Sequence, residues 1–283
     1  MNGRLKRLIT FINSVFVAAV IAIIVVSIFS MLFEEHLIYF PSKYPDGNYS
    51  LLSRNPFIQD CWFTTEDGIK LHAWFAKKDT AIATLIISHG NAGNLSHRLE
   101  IIRILYQTGF NIFMYDYRGY GRSGGEPSED GLYRDGRAAF DHAVTIPGVD
   151  PKRIILWGTS LGGAVAVDVA VHRSPAGLIL ESTFSSAKDV AARAYPFLPA
   201  RLIMRTKFNS IEKIERIHVP ILFMHGNKDT IIPIDLGKKI FNAANEPKAF
   251  YEIDGADHND TYWVGGKRYI QHIREFALSC FSH

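Results

Sequence analysis

From Leu8 to Phe33 no position carries a charge, an apolar run of about 26 residues. At a helical rise of about 1.5 Å per residue this exceeds the roughly 30 Å of hydrocarbon in a bilayer. The run is apolar on every side, so it predicts one membrane-spanning helix and not an amphipathic core helix. Beyond it the periodicity changes. Residues 61–64 and 70–76 are short strand-like runs joined across Glu66-Asp67-Gly68, and Asp-Gly is a strong hairpin signal, so the pattern opens on an antiparallel pair. Apolar runs at 84–88, 111–115, 154–157, 178–180, 221–224 and 249–253 then alternate with helical patterns at 96–108, 128–145, 161–172, 233–244 and 261–279. Strands apolar on both faces lie between helix layers. The expected fold is α/β: a mostly parallel sheet with antiparallel N-terminal strands and helices on both faces. Residues 39–47, rich in Pro, Gly and aromatics, read as a linker, and 183–216, broken at Tyr195-Pro196-Phe197-Leu198-Pro199, as an inserted cap. The expected organisation is an anchor over 1–36 and one catalytic domain over 37–283.

Composition adds bounds. At 283 residues and 47% apolar content the chain can bury one large core, and a formal net charge of +3 argues against nucleic acid as a partner. Arg98 and Arg103 read as the solvated face of their helix. Two cysteines, Cys61 and Cys280, make neither a disulfide framework nor a zinc site. Arg4, Lys6 and Arg7 precede the apolar run while Glu34 and Glu35 follow it. The positive-inside bias therefore predicts a cytoplasmic N-terminus and a catalytic domain on the extracytoplasmic side. The run is longer than a signal-peptide core and no small-x-small cleavage site follows it.

The chemistry centres on Gly158-Thr159-Ser160-Leu161-Gly162-Gly163, between an apolar strand and a helix-compatible stretch. G-x-S-x-G in that context is a tight turn that holds a serine hydroxyl out of a sheet. A serine needs a base and an orienting acid. Asp229 follows the strand ending near 224, and His258 follows the one ending near 253, so both fall in loops at the carboxyl edge of the sheet. Ser160 is the expected nucleophile, His258 the base and Asp229 the acid. His225 remains a rival base, and Asp254, Asp257 and Glu181 rival acids. In Ser88-His89-Gly90-Asn91-Ala92-Gly93-Asn94 the backbone N–H of Asn91, or in second place Ala92, would join that of Leu161 as an oxyanion hole. His89 reads as a residue that shapes this loop. The string from Asp116 to Gly125 lacks the Lys-Ser/Thr of a P-loop and reads as a structural turn with an Asp116/Arg118 network.

Taken together, the loop at 88–94, Asp116-Tyr117-Arg118-Gly119-Tyr120-Gly121, the Ser160 turn, His225-Gly226 with Asp229, and Asp257-His258 resemble the α/β-hydrolase superfamily. The likeness is to its serine-aminopeptidase-like, ABHD-type branch, whose members often carry an amino-terminal anchor followed by a Tyr-Phe-Pro stretch. The resemblance runs from about Leu37 to the end and implies the fold and a Ser-Asp-His triad more firmly than a substrate. The expected activity is hydrolysis of an acyl ester or thioester with an apolar chain, on a small-molecule or acylated substrate, without metal or organic cofactor. The apolar stretch 194–204 would line the pocket. A peptidase and a catalytically silent, membrane-tethered binding protein are the alternatives.

Overall fold

The computed structural model describes residues 3–196 and 199–282. The uncharged run forms α1 (Gly3–Leu32), in which the 21 residues Ile9–Phe29 are long and apolar enough to cross a membrane. Most of that stretch is exposed among the described residues, with Ser27 near its end buried. After α2 (Glu34–Ile38) the chain departs from the loose linker expected over 39–47. Phe40–Pro41 (β1) pairs in parallel with residues 92–93, and Tyr39 and Tyr49 are buried. A two-residue ladder has no periodicity to read, so only tertiary pairing reveals it.

The main sheet collects β2 (Ile58–Thr64), β3 (Lys70–Ala76), β4 (Thr84–Ser88), β6 (Asn111–Tyr115), β7 (Ile154–Thr159), β8 (Gly177–Glu181), β9 (Ile221–Gly226) and β10 (Lys248–Ile253); β5 is the short Ala92–Gly93. Its order is β10-β9-β8-β7-β4-β6-β3-β2. All neighbours run parallel except β2 with β3 and β3 with β6. The antiparallel opening is present, with β2 starting three residues earlier than the apolar run at 61–64 and Gly68 at φ +82° in the turn. Successive side chains of a strand point to opposite faces. Ile86 and Leu156 accordingly pack in one core layer, and Leu85, Ile87, Ile155 and Trp157 in the other. That explains the unbroken apolar runs.

Helices α3 (Leu99–Gln107), α4 (Glu129–Ala143), α5 (Leu161–His172) and α9 (Ile234–Ala243) lie in the crossovers, and α10 (Thr261–Ser279) follows the last strand. Residues 183–216 form α6 (Ala187–Ala194), α7 (Ala200–Ile203) and α8 (Ser210–Ile214); Phe197 and Leu198 lie outside the described residues. This segment meets α2 and the end of α1. The buried carboxylate of Glu34 accepts the N–H of Thr206 at 2.6 Å and of Arg205 at 3.1 Å. The thiols of Cys61 and Cys280 are both free.

Candidate active site

The turn from β7 into α5 explains its own glycines. A Cβ on Gly158 would strike the backbone of Gly162 and Gly163, and one on Gly162 would strike the Ser88 carbonyl. Between them Ser160 sits at φ 55°, ψ −119°, a conformation that costs an L-residue about 1–3 kcal/mol and persists only where its surroundings hold it. Here the Ser160 N–H donates to the Glu181 carbonyl at 2.9 Å, and the Ser160 carbonyl accepts the Gly163 N–H at 2.9 Å and the Thr183 hydroxyl at 3.2 Å.

Two loops at the carboxyl edge complete a row. His258 Nε2 lies 3.0 Å from Ser160 Oγ, and His258 Nδ1 lies 2.7 Å from Asp229 Oδ2. The carboxylate acceptor requires the proton on Nδ1, which leaves the Nε2 lone pair toward the serine hydroxyl. Asp229 Oδ1 accepts the N–H groups of Ile231 and Ile232 at 3.0 and 2.7 Å. Burial pushes the Asp229 pKa up, but His225, His258 and the Ile232 N–H outweigh it, and the carboxyl ends well below the usual carboxylate range. The rivals turn elsewhere. His225 Nε2 faces the Ile232 carbonyl at 2.8 Å, with Asp229 Oδ2 at 3.2 Å. Asp257 accepts the Thr230 N–H and hydroxyl and the His258 N–H, and Asp254 accepts from Asn227. Glu181 is buried and accepts from Trp157 Nε1 (3.1 Å), Thr159 (3.2 Å), Thr261 (2.6 Å) and Tyr269 (2.8 Å). It ties the strand before Ser160 to the helix after His258, a network that no local pattern reveals.

Across the serine lies the loop after β4, where a Cβ on Gly90 would stand 3.6 Å from that of Ser160. The Leu161 N–H opens α5, where the first amides of a helix have no intrahelical acceptor. Neither it nor the Asn91 N–H donates a hydrogen bond within the described chain. Peptide planarity lets a bond on one side of a peptide orient the other side. His89 Nδ1 donates to the Gly90 carbonyl at 2.7 Å, in the peptide that carries the Asn91 N–H. The next carbonyl, of Asn91, accepts the Tyr120 hydroxyl (2.7 Å) and the Phe40 N–H (3.1 Å), and the Asn91 side chain donates to the Ile38 carbonyl. The segment leaving the anchor is thus tied to this loop. Beneath it, fully buried Asp116 accepts the Leu95 N–H at 2.7 Å and lies 3.4 Å from His89 Nε2. The Asp116/Arg118 network does not form. The chain leaves β6 at Tyr115 and turns at Arg118-Gly119, so the two side chains no longer share a strand face, and Arg118 binds Asp135 (2.9 Å) and Asp67 (2.8 Å) instead.

Ser160 and His258 open on a cavity of about 430 Å³. Its apolar wall includes Ile87, Ile101, Met114, Trp157 and Ile231, and its polar wall Arg98, Glu100 and Tyr262. Arg98 therefore faces the site and is not the solvated residue expected of its helix. No described residue of 183–216 lines the cavity, contrary to the expectation for 194–204. Part of that segment packs against α1 instead, and Tyr195 is exposed.

Residues 79–210 match the family described as serine aminopeptidase, S33. An uncharacterized protein of Mycobacterium tuberculosis is 38% identical over 264 residues, covering 92% of this chain and 93% of that one. The alpha/beta hydrolase domain-containing protein WAV2 of Arabidopsis thaliana is 35% identical, covering 87% and 89%. The structure of the Pyrococcus furiosus esterase Pf2001 superposes with a TM-score of 0.70 at 20% identity, covering 84% of this chain and 97% of that chain, a likeness of fold. With that breadth of match to its relatives, and with this sheet, the chain belongs to the α/β-hydrolase superfamily, in the serine-aminopeptidase-like, ABHD-type branch, and is a hydrolase.

Proposed function

We propose that the protein is a serine hydrolase that cleaves an acyl ester or thioester through a covalent acyl-enzyme. The observation that carries this reading is the row Ser160 Oγ to His258 Nε2 at 3.0 Å and His258 Nδ1 to Asp229 Oδ2 at 2.7 Å, facing a cavity. His258 takes the serine proton as Oγ attacks the carbonyl, and the Leu161 and Asn91 amides hold the oxyanion. The tetrahedral intermediate collapses, and His258 protonates the departing alcohol or thiol. Water, deprotonated by the same imidazole, then attacks the acyl-enzyme and releases the acid, restoring Ser160. Asp229 keeps Nδ1 protonated and stabilises the imidazolium. A fluorophosphonate probe is expected to label the wild type and not Ser160→Ala; equal labelling of both overturns the mechanism.

Amide cleavage is the second reading, favoured by the family description matched at residues 79–210. Rates on aminoacyl-arylamides against 4-nitrophenyl acyl esters separate the two. Residues 1–36 serve in this reading as a membrane anchor for the catalytic domain 37–283, with the N-terminus cytoplasmic, a reading supported by Arg4, Lys6 and Arg7 ahead of the apolar span Ile9–Phe29. Protease added to sealed, right-side-out spheroplasts should digest the domain; digestion only from the cytoplasmic face reverses the orientation.

A further inference from the structure

Arg98 stands on the cavity wall with Ser160 and His258, where the oxyanion-side loop turns into α3. One guanidinium nitrogen donates to the Ala92 carbonyl at 2.8 Å. Its other donors have no carboxylate. Asp116, whose charge reaches it, is sealed beneath the loop by the Leu95 N–H and flanked by two imidazoles. Glu100, on the same wall, sits 3.5 Å from the Tyr262 hydroxyl. Among the described residues none forms an ion pair with Arg98, whereas Arg118, Arg137 and Arg173 each have an aspartate. Burial pushes the Arg98 pKa down against the weaker opposing pull of Asp116, yet a guanidinium stays charged at any physiological pH.

A permanent cation, part-withdrawn from water on the cavity wall and with no ion-pair partner there, favours the arrival of an anion. We propose that Arg98 selects substrates that carry an anionic group, a carboxylate or a phosphate, beside the scissile acyl bond. This deepens the acyl-hydrolase reading and rests on it. The planar fork suits either oxyanion, while Ile87, Ile101 and Met114 offer the acyl chain an apolar wall. The same charge works against the cationic α-amino group of an aminopeptidase substrate.

The test uses the full-length chain in detergent micelles and two substrate pairs. 4-Nitrophenyl pentanoate against mono-4-nitrophenyl glutarate places a carboxylate on the acyl side. A monoacylglycerol against its glycerol phosphate counterpart places a phosphate on the leaving alcohol. In at least one pair the wild type is expected to favour the anion by about tenfold to a hundredfold in kcat/KM, mainly through KM. The responsive pair says which side the anion occupies. Arg98→Gln should bring that ratio near one, and Arg98→Lys should keep part of it. An active wild type with no anion preference in either pair, or a ratio that Arg98→Gln leaves unchanged, overturns the assignment and leaves the hydrolase reading standing. A wild type inactive on all four esters takes both down.

Discussion

On either side of Ser160 lies a buried histidine beside a buried aspartate, and the two pairs are built for different work. His258 has Nδ1 on Asp229 and Nε2 free to face a hydroxyl at the cavity. His89 has Nδ1 committed to its neighbour's carbonyl and Nε2 toward Asp116 at 3.4 Å, without a well-aligned hydrogen bond. Both carboxyls are held below their ordinary pKa. In each case burial pushes upward and the surrounding imidazoles and backbone N–H groups more than offset it. The ingredients match, and what differs is the partner of the second imidazole nitrogen. In the proposed reaction the first pair passes a proton, and the second orients a peptide.

The largest effect that would break this comparison is on rate. Asp229→Asn should lower kcat by about 10⁴-fold, because an amide no longer holds the imidazole in the productive tautomer. Losing a carboxylate that two imidazoles and backbone N–H groups hold below its ordinary range should also cost stability, but the rate loss is the larger and distinguishing effect. Steady-state kinetics beside chemical denaturation checks both. A loss of rate under tenfold would remove His258–Asp229 from the chemistry.

Asp116→Asn should reverse that order. Removing a buried charge that answers two imidazoles and the Leu95 N–H is expected to cost about 3 kcal/mol of stability, with kcat lowered by about tenfold through the tilted loop. The sign with pH follows from the depressed carboxyl. Its contribution is fully present above the ordinary carboxylate range and is lost as pH falls through the folded value. The variant should therefore be less stable at neutral pH and show a flatter acid limb. A variant as stable as wild type but 10⁴-fold slower would make the two pairs equivalent.

The contrast also shows how far the sequence can be read. Strands buried on both faces announce themselves as unbroken apolar runs, and the loops that follow them carry Ser160, Asp229 and His258. Chain order and loop position were enough to nominate those three. What stayed illegible depends on which side chain turns toward which partner. Arg98 looks like any arginine on a helix until the loop beside it curls over a cavity. Glu181 gathers four donors from β7 and α10, distant in sequence. The segment after α2 reads as a linker because its hold on the 88–94 loop is a two-residue ladder and side-chain bonds from Asn91 and Asn94 to its carbonyls.

Tyr120→Phe carries the smallest expected effect and the finest distinction. Its hydroxyl donates to the Asn91 carbonyl, which belongs to the peptide carrying the Ala92 N–H, whereas His89 holds the preceding peptide, which carries the Asn91 N–H. Deleting the hydroxyl strands no group, because the Phe40 N–H still donates to that carbonyl, so the stability loss should be about 1 kcal/mol. If Asn91 supplies the oxyanion donor, kcat should fall less than about tenfold and KM should hold. A fall of about 10²-fold or more, the size seen when an oxyanion donor itself is lost, would move the donor to Ala92. The anchor-proximal strand, which shares that carbonyl, would then take over from the His89–Asp116 pair as the element that aims it.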